Sequence, residues 1–503
     1  MWVRSCCAAA IAVLAAISGA AAQDVTLTAR DGGLALTGSL QGWDGEFYRL
    51  ETKYGLLTVD GQGVICDGPG CPDLTAPKIP VRVVGEGEAG RALLGPLVAA
   101  FAQARGLRHE VGADGVARLT EGTSGQVLAE FSFAAMPQEQ ARAALLAGRA
   151  ELILAAGTEP DLRARTLAMD ALVPIVAADN PVAKISTADL ARALSGEVTS
   201  WAEIGGPEMP LVLHGLPATN GVQRALAERL GREVAATEVH ADLTALAAAV
   251  ARDPWALAVT GRAMAGAAKA VTLTDKCGFP LLPSTLAVKA EDYPLALPLH
   301  LLTPRRRLPL MAREFLEFLA LPQAQAAIAA AGYVDRGAER QPMTADGLRL
   351  INAIQGAGEE TTLADLKRLV DVMDGADRLS FTFRFEDGSS TLDAQSQGNL
   401  ADLARLLEAG GFRGEAMILA GFSDGSGAAE ANLALSQDRA EVVLAALREV
   451  APGIEAGRLP QVMAFGEALP MACDETGAGR RLNRRVELWL RPDFVKAGVP
   501  TED

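Results

Sequence analysis

The sequence predicts a chain of several domains, with an α/β domain in the middle and a smaller α+β domain at the C-terminal end. Three observations support this prediction. The chain has 503 residues, which at ~150 residues per domain corresponds to roughly three domains. Strand and helix patterns alternate from about residue 80 to 335, as in an α/β domain. The last segment reads β-α-β-α-β, from a strand at 379–385 to a closing strand at 485–490.

The charge balance excludes one large class of partner. The chain carries 46 Lys and Arg against 62 Asp and Glu, a formal net charge of −16. Nucleic acid repels so acidic a chain, and we expect no nucleic-acid partner. Half of the residues are hydrophobic and 21% are charged, which is globular composition.

The first residues have the pattern of a secretory signal peptide. Arg4 precedes an apolar stretch from Cys6 to Ile17, and a small-residue cleavage site of three alanines ends at Ala22. The stretch is too short to span a bilayer, which takes ~20 residues. We therefore expect residues 1–22 to be removed and the mature protein to lie in the periplasm, an oxidising compartment on the cell-wall and outer-membrane side.

Residues 23–76 form the next predicted unit, which is small and β-rich. Polar and apolar residues alternate on both sides of Tyr54-Gly55, which predicts a hairpin. Cys66 and Cys71 enclose Asp-Gly-Pro-Gly, a sequence that can bend the backbone enough to join the two sulfurs. We expect a disulfide there.

The sequence does not determine the state of two other cysteines. Cys277 and Cys473 lie far apart in sequence and either bridge two domains or stay buried as thiols. Neither has a His or Cys nearby at ligand spacing, which argues against a metal site.

Two motifs suggest enzymes, but their context does not. Gly85, Gly87 and Gly90 fit the dinucleotide pattern G-x-G-x-x-G, yet Glu86 and Glu88 place carboxylates where a pyrophosphate would lie. Residues 421–425 fit the hydrolase pattern G-x-S-x-G, but all four histidines precede the serine, against the chain order of that class. We therefore expect no enzymatic activity, no cofactor and no metal.

The C-terminal segment has four motifs in order: a Phe-rich first strand, Gly-x-[ST]-Asp, Asn-x-x-Leu-Ser-x-x-Arg-Ala and Asn-Arg-Arg-Val. They fall in GFSDGSGAAEANLALSQDRAEVV (421–443) and GRRLNRRVELWL (479–490). Residues 379–492 thereby closely resemble the OmpA-like peptidoglycan-binding domain. We assign this α+β domain to residues 377–496 and a helical connector to residues 341–376.

The resemblance implies a clamp for the zwitterionic end of diaminopimelate in the peptide stem of peptidoglycan. Asp424 and Arg439 match the acid and the base of that clamp, and Asn432 matches a supporting polar contact. Of the adjacent Arg484 and Arg485, we expect one, Arg484 in our assignment, to line the groove and the other to point outward. The sequence departs from the family at Phe422, where His is common, and at Glu386, where Asp is usual.

Residues 77–340 resemble the phosphate-binding type of periplasmic solute receptor, a type II fold with two lobes. The resemblance lies in scaffold motifs: Asp170 to Pro181, Ser195 to Gly206, Tyr293-Pro294, and the last helices from Glu314 to Val334. Lobes of this kind close around a solute.

The ligand loops depart from that family. The first loop carries Glu88 where a hydroxyl is usual, and the second-lobe segment after Leu213 lacks the family's arginine. The polar groups that remain could still make a solute site, with an anion as one candidate ligand: Gly87, Glu88, Thr158, Thr219, Asn220 and Gly221.

These observations favour a non-enzymatic periplasmic protein that is anchored to peptidoglycan and binds a small solute for an ABC-type permease. The alternative is a structural envelope protein, tethered in the same way, whose two-lobed domain is degenerate or serves as an interaction module. Closure of the lobes on a solute would separate the two hypotheses.

Overall fold

The computed structural model describes residues 24–29, 32–43, 47–71, 79–122, 125–355, 360–386 and 389–492. The predicted signal peptide lies outside these residues. The chain divides between Pro77 and Lys78 into two compact units.

The first unit is one antiparallel sheet in the order β4-β3-β2-β1-β5. The predicted hairpin is its β3-β4 pair. Tyr48 and Leu50 of β3 are buried while Arg49 and Glu51 are exposed, so the alternation seen in the sequence does define an inner face. The disulfide expected between Cys66 and Cys71 is present. The strands are β1 (Asp24–Ala29), β2 (Ala35–Trp43), β3 (Phe47–Thr52), β4 (Gly55–Asp60) and β5 (Val64–Asp67).

The second unit begins with the predicted α/β region, which has two lobes. Its strands are β6 (Ile79–Gly85), β7 (Arg108–Val111), β8 (Ala117–Thr120), β9 (Val127–Ala135), β10 (Leu152–Ala155), β11 (Arg163–Val176), β12 (Lys184–Ser186), β13 (Val212–Gly215), β14 (Glu238–Val239), β15 (Ala256–Gly261), β16 (Lys269–Ala270), β17 (Thr272–Thr274), β18 (Pro280–Leu281) and β19 (Ala296–Thr303). Its helices are α1 (Gly87–Ala104), α2 (Gln138–Leu146), α3 (Thr187–Leu194), α4 (Gly221–Leu230), α5 (Leu243–Val250), α6 (Thr285–Lys289), α7 (Leu310–Phe318) and α8 (Pro322–Ala330).

The long strand β11 joins the two lobes. Its first part, Arg163–Ala171, pairs with β19 in the sheet order β11-β19-β10-β6-β9-β8-β7 of the first lobe. Its last part, Leu172–Ile175, pairs with β15, which continues through β13 to β14 in the second lobe. The glycine loop after β6 and the start of α4 therefore face each other across a cleft between the lobes.

The predicted C-terminal domain is a five-stranded sheet in the order β20-β21-β24-β22-β23, and its β22-β23 pair is parallel. Its elements are β20 (Arg340–Pro342), α9 (Gly347–Gln355), α10 (Leu363–Met373), β21 (Asp377–Phe383), α11 (Ala394–Glu408), β22 (Glu415–Phe422), α12 (Ala429–Val450), β23 (Gln461–Ala464), α13 (Gly477–Asn483) and β24 (Arg485–Pro492).

This sheet is covered on both faces. Because side chains alternate along a strand, β22 sends Leu419 to one face and Ile418 and Ala420 to the other. Leu419 packs in the core beneath α11 and α12. Ile418 and Ala420 share a second core with Leu369 of α10. The helices predicted as a connector thus cover one face of the sheet.

The two-lobed region and the C-terminal sheet are joined covalently and by buried ion pairs. A disulfide links Cys277 to Cys473, which decides between the two alternatives left by the sequence. Asp292 accepts bonds from Arg384 at 2.9 Å and from Arg378 at 2.6 Å, and all three side chains are buried. Within the described part of the chain, none of the helices combines the length and apolarity needed to cross a bilayer.

Candidate functional site

The predicted clamp lies where β22 ends and α12 begins. A Cβ atom at Gly421 would lie 2.0 Å from the carbonyl oxygen of Ser436, so only glycine lets α12 approach the strand this closely. The hydroxyl of Ser436 accepts the Gly466 amide at 3.0 Å, which ties the helix to the neighbouring loop. These contacts fix Arg439, one turn further along α12, with respect to Asp424 in the loop after β22.

The Asp424 carboxylate is held by two donors. Arg484 Nη1 donates to its Oδ2 at 3.0 Å, and the Ser426 amide donates to its Oδ1 at 3.1 Å. Burial raises the pKa of Asp424, but the hydrogen bonds from Arg484 and Ser426 outweigh it and keep the pKa below its ordinary value. The group is therefore an anion at neutral pH. A carboxylate has about four lone-pair sites, so acceptor capacity remains for a ligand.

Arg439 is a cation that lacks a full set of partners. Its Nη1 atom is buried and has no hydrogen-bond partner among the described residues. Burial and the neighbouring positive charge of Arg484 lower the pKa of Arg439, while the charge of Asp424 raises it. A guanidinium stays protonated in proteins, so this is an unsatisfied donor next to an acid.

The cleft beside Arg439 has a volume of about 840 Å³ and a nearly balanced set of charges. Four arginines and three carboxylates line it, and the three carboxylates belong to Glu386, Asp393 and Asp438. Such a lining suits a ligand with both an ammonium and a carboxylate better than it suits a simple anion.

Two of the predicted residues, Asp424 and Asn432, are not part of the lining of this cleft. Asp424 is bonded to Arg484, which does line it. Asn432 is 1% exposed and donates to Glu467 at 3.0 Å, so its amide holds the loop at Glu467 instead of lining the cleft. Arg484 lines the cleft as assigned. Arg485 does not point outward as expected, because it is fully buried and its Nε donates to Glu487 at 2.7 Å. Phe422 is buried beneath the Arg485 guanidinium, which lies 4.3 Å from the ring centre.

The cleft between the lobes has a volume of about 270 Å³, and its lining comes from both lobes. It includes five of the six residues predicted for the solute site: Gly87, Glu88, Thr219, Asn220 and Gly221. Thr158 lies outside the lining. Its neighbour Glu159 accepts a hydrogen bond from Gln138, the first residue of α2.

Two carboxylates of the first lobe occupy helix N-termini of the second. Glu88 Oε1 accepts the amide of Leu243, the first residue of α5, at 2.8 Å. At α4, a Cβ atom on Gly221 would lie 1.7 Å from Glu86 Oε2, so this carboxylate rests directly against the first residue of the helix. Helix N-termini are where backbone amides and the helix dipole favour an anion.

Two arginines line this cleft, although the segment from His214 to Gly221 contains none. They are Arg224 of α4 and Arg91 of α1. Arg224 lies four residues after Asn220, which caps α4, and Arg91 lies four residues after Gly87, the first residue of α1. That helical spacing was the signal available in the sequence. Arg224 already donates to Gln138 of the first lobe, so it links the lobes.

One cluster of metal-type ligands occurs among the described residues, at Cys277, Cys473 and Glu475. The two sulfurs are bonded to each other, so they are not available as thiolate ligands.

The fold is a two-lobed α/β domain followed by an α+β domain whose five-stranded sheet is covered by helices on both faces. Residues 97–323 match the model of a PBP superfamily domain, and residues 384–484 match the model of the OmpA family. Both resemblances drawn from the sequence, and the predicted fold class, are thereby confirmed.

Particular relatives resemble parts of the chain. A stretch of 108 residues is 33% identical to Probable lipoprotein YiaD of Escherichia coli K12 and covers 22% of this chain and 47% of that protein. The chain thus spans about half the length of this curated relative. An ABC-type phosphate transport receptor from Vibrio cholerae is 17% identical, with a TM-score of 0.41, over 50% of this chain and 99% of that chain. PstS from Borrelia burgdorferi is 12% identical, with a TM-score of 0.37, over 51% and 99% respectively.

Proposed function

We propose that this is a non-enzymatic protein of the periplasm and that its C-terminal domain anchors it to peptidoglycan. The observation that carries the proposal is the buried Nη1 atom of Arg439, which has no hydrogen-bond partner among the described residues. A buried donor without an acceptor is costly, and a ligand carboxylate would satisfy it. The family match at residues 384–484 supports the same conclusion.

The free end of diaminopimelate carries an ammonium and a carboxylate on one carbon. In our proposal Asp424 accepts hydrogen bonds from the ammonium, and Arg439 donates to the carboxylate. An arginine suits this role because its planar fork offers two parallel donors. Arg484 holds Asp424 in place through its 3.0 Å bond and acts as a positioning residue.

Cosedimentation tests the anchoring role. The full chain, mixed with purified sacculi that contain diaminopimelate, is expected to pellet with them, and a protein of similar charge without this domain is not. A chain that stays in the supernatant at every salt concentration tested would contradict the proposal.

The two-lobed domain has a second proposed property: its cleft does not bind a phosphate-type anion. Glu86 and Glu88 already occupy the helix N-termini that would hold such an anion, and a phosphate would meet both charges. Burial and the charge of Glu88 raise the pKa of Glu86, as expected for two carboxylates in one small cleft. This observation favours a two-lobed domain that is degenerate or serves as an interaction module over a receptor that delivers a solute to an ABC-type permease.

Phosphate titration separates these alternatives. By calorimetry, the unaltered chain is expected to show no binding of inorganic phosphate. The double variant Glu86→Ser, Glu88→Ser removes both first-lobe carboxylates from the cleft and is expected to gain measurable phosphate binding, at least ~10-fold tighter than the detection limit of the titration. Glu139→Ser, at an exposed position on α2, is the control and should gain nothing. Micromolar binding by the unaltered chain would overturn the proposal that this cleft does not bind a phosphate-type anion.

A further inference from the structure

A cavity larger than either cleft described above lies between the two-lobed domain and the C-terminal domain. Its volume is about 890 Å³, within the range of ~300–1,000 Å³ typical of small-molecule sites. The first lobe forms one wall through α1, α7, α8 and the start of β11, and α11 of the C-terminal domain forms the other. Junctions between domains are a frequent position for ligand sites.

The lining of this cavity divides into an apolar part and a cationic part. The apolar part comes from both domains and includes Phe101, Phe318, Leu319, Leu321 and Leu406. Five arginines and three carboxylates share the rest of the lining, an excess of two positive charges. The whole chain carries a net charge of −16, so this excess sets the cavity apart from the rest of the protein.

Most of these charges are already paired. Asp402 accepts from both Arg336 and Arg405, and two of the five arginines thereby share one acid. Glu314 lies 3.0 Å from Arg105. These pairs leave the largely buried Arg165 without a carboxylate at ion-pair distance.

Arg165 has one hydrogen bond, which its Nη1 donates to the carbonyl oxygen of Leu316. The charge of the exposed Glu317 attracts the Arg165 guanidinium, but the two side chains form no ion pair. A guanidinium offers five donors, so Arg165 keeps unused donors on the wall of a cavity with an apolar floor. An acyl chain would cover that floor, and an anionic head group would meet the donors.

We propose that this cavity binds an amphipathic anion, an acyl chain that ends in a carboxylate or a phosphate, with Arg165 bound to the head group. The experiment uses the full chain and calorimetry with four probes of equal chain length: laurate, dodecyl phosphate, dodecanol and dodecyltrimethylammonium. We expect one molecule of laurate or dodecyl phosphate per chain and at least ~10-fold weaker binding of the neutral and cationic probes. The ratio between the two anions shows which head group the cavity prefers.

Arg165→Gln is expected to weaken binding of the preferred anion at least ~10-fold and to leave dodecanol unaffected. Arg163→Gln is the matched control, because Arg163 is exposed and lies two residues earlier on the same strand. A second variant avoids the buried position: Leu321→Glu adds a carboxylate to the lining at a side chain that is 46% exposed, and it should weaken anion binding similarly. Equal affinity for all four probes, no binding of either anion, or equal losses in Arg163→Gln and Arg165→Gln would overturn the proposal.

Discussion

Replacing Arg439 by alanine is expected to abolish cosedimentation of the full chain with sacculi that contain diaminopimelate. Truncating one partner of a buried charge pair costs about 2–5 kcal/mol of binding free energy, a loss of affinity of about 30-fold or more. Asp424→Ala should have the same effect, because it removes the acceptor for the ammonium and leaves Arg484 without its 3.0 Å partner. Binding isotherms with sacculi measure both losses.

Arg448→Ala is the control for this pair of variants. Arg448 is exposed in the last turn of the same helix α12, so its loss removes one positive charge without touching the clamp. Its isotherm should match that of the unaltered chain. Retained binding in both Asp424→Ala and Arg439→Ala would show that the domain holds peptidoglycan by another surface.

The clamp also has a predicted pH dependence. Arg484 and Ser426 together keep the pKa of Asp424 below its ordinary value despite burial. Asp424 therefore stays ionised throughout the neutral range, and its contribution to binding is lost only as the pH falls through that lowered pKa. We expect cosedimentation at pH 5 to equal that at pH 7. A midpoint of loss near pH 6 would contradict the role of Asp424.

Replacing Glu487 by alanine is expected to destabilise the C-terminal domain more than any surface change. Glu487 is fully buried and accepts from Arg349 and Arg485, each at 2.7 Å, and from the Trp489 indole at 2.9 Å. Removing one partner of a buried ion pair leaves unpaired charges in a low dielectric and costs about 3–5 kcal/mol. Urea unfolding followed by circular dichroism measures the change in the free energy of unfolding.

Glu415→Gln is the matched control for Glu487. Glu415 also belongs to the sheet and pairs with Arg340 at 2.7 Å, but this pair lies near the surface, where such pairs contribute about 0–1 kcal/mol. Burial raises the pKa of Glu487, but the guanidinium groups of Arg349 and Arg378 outweigh it and hold the pKa far below its ordinary value. Its stabilising contribution is thus complete above the pKa of the unfolded carboxyl, ~4.3, and is lost as the pH falls further. Equal losses in the two variants would contradict the buried network.

The strands and helices with a clear hydrophobic periodicity were predicted correctly from the sequence. The predicted strand at 379–385 is β21 (Asp377–Phe383), and the predicted closing strand at 485–490 is β24 (Arg485–Pro492), because both have clear periodicity. The four-residue strand β23 was missed, since a run this short carries no period to detect.

Contacts between distant segments could not be predicted in the same way. The pairing of Asp292 with Arg384 joins two domains, and nothing near either residue in sequence indicates the other. Arg224 was not predicted, because it lies in the first turn of α4 and not in the loop before that helix. Asn432 was assigned to the cleft by its motif, but its position on α12 directs its amide to Glu467.

The central claim is that Asp424 and Arg439 together recognise an ammonium and a carboxylate on one carbon. Two stem peptides that differ only at the third residue test it directly: one with diaminopimelate, and one with lysine, whose side chain ends in an ammonium alone. Calorimetry with the full chain is expected to show binding of the first peptide and affinity at least ~30-fold weaker for the second. Equal affinity for the two peptides would contradict the claim, because Arg439 would then have no carboxylate to hold.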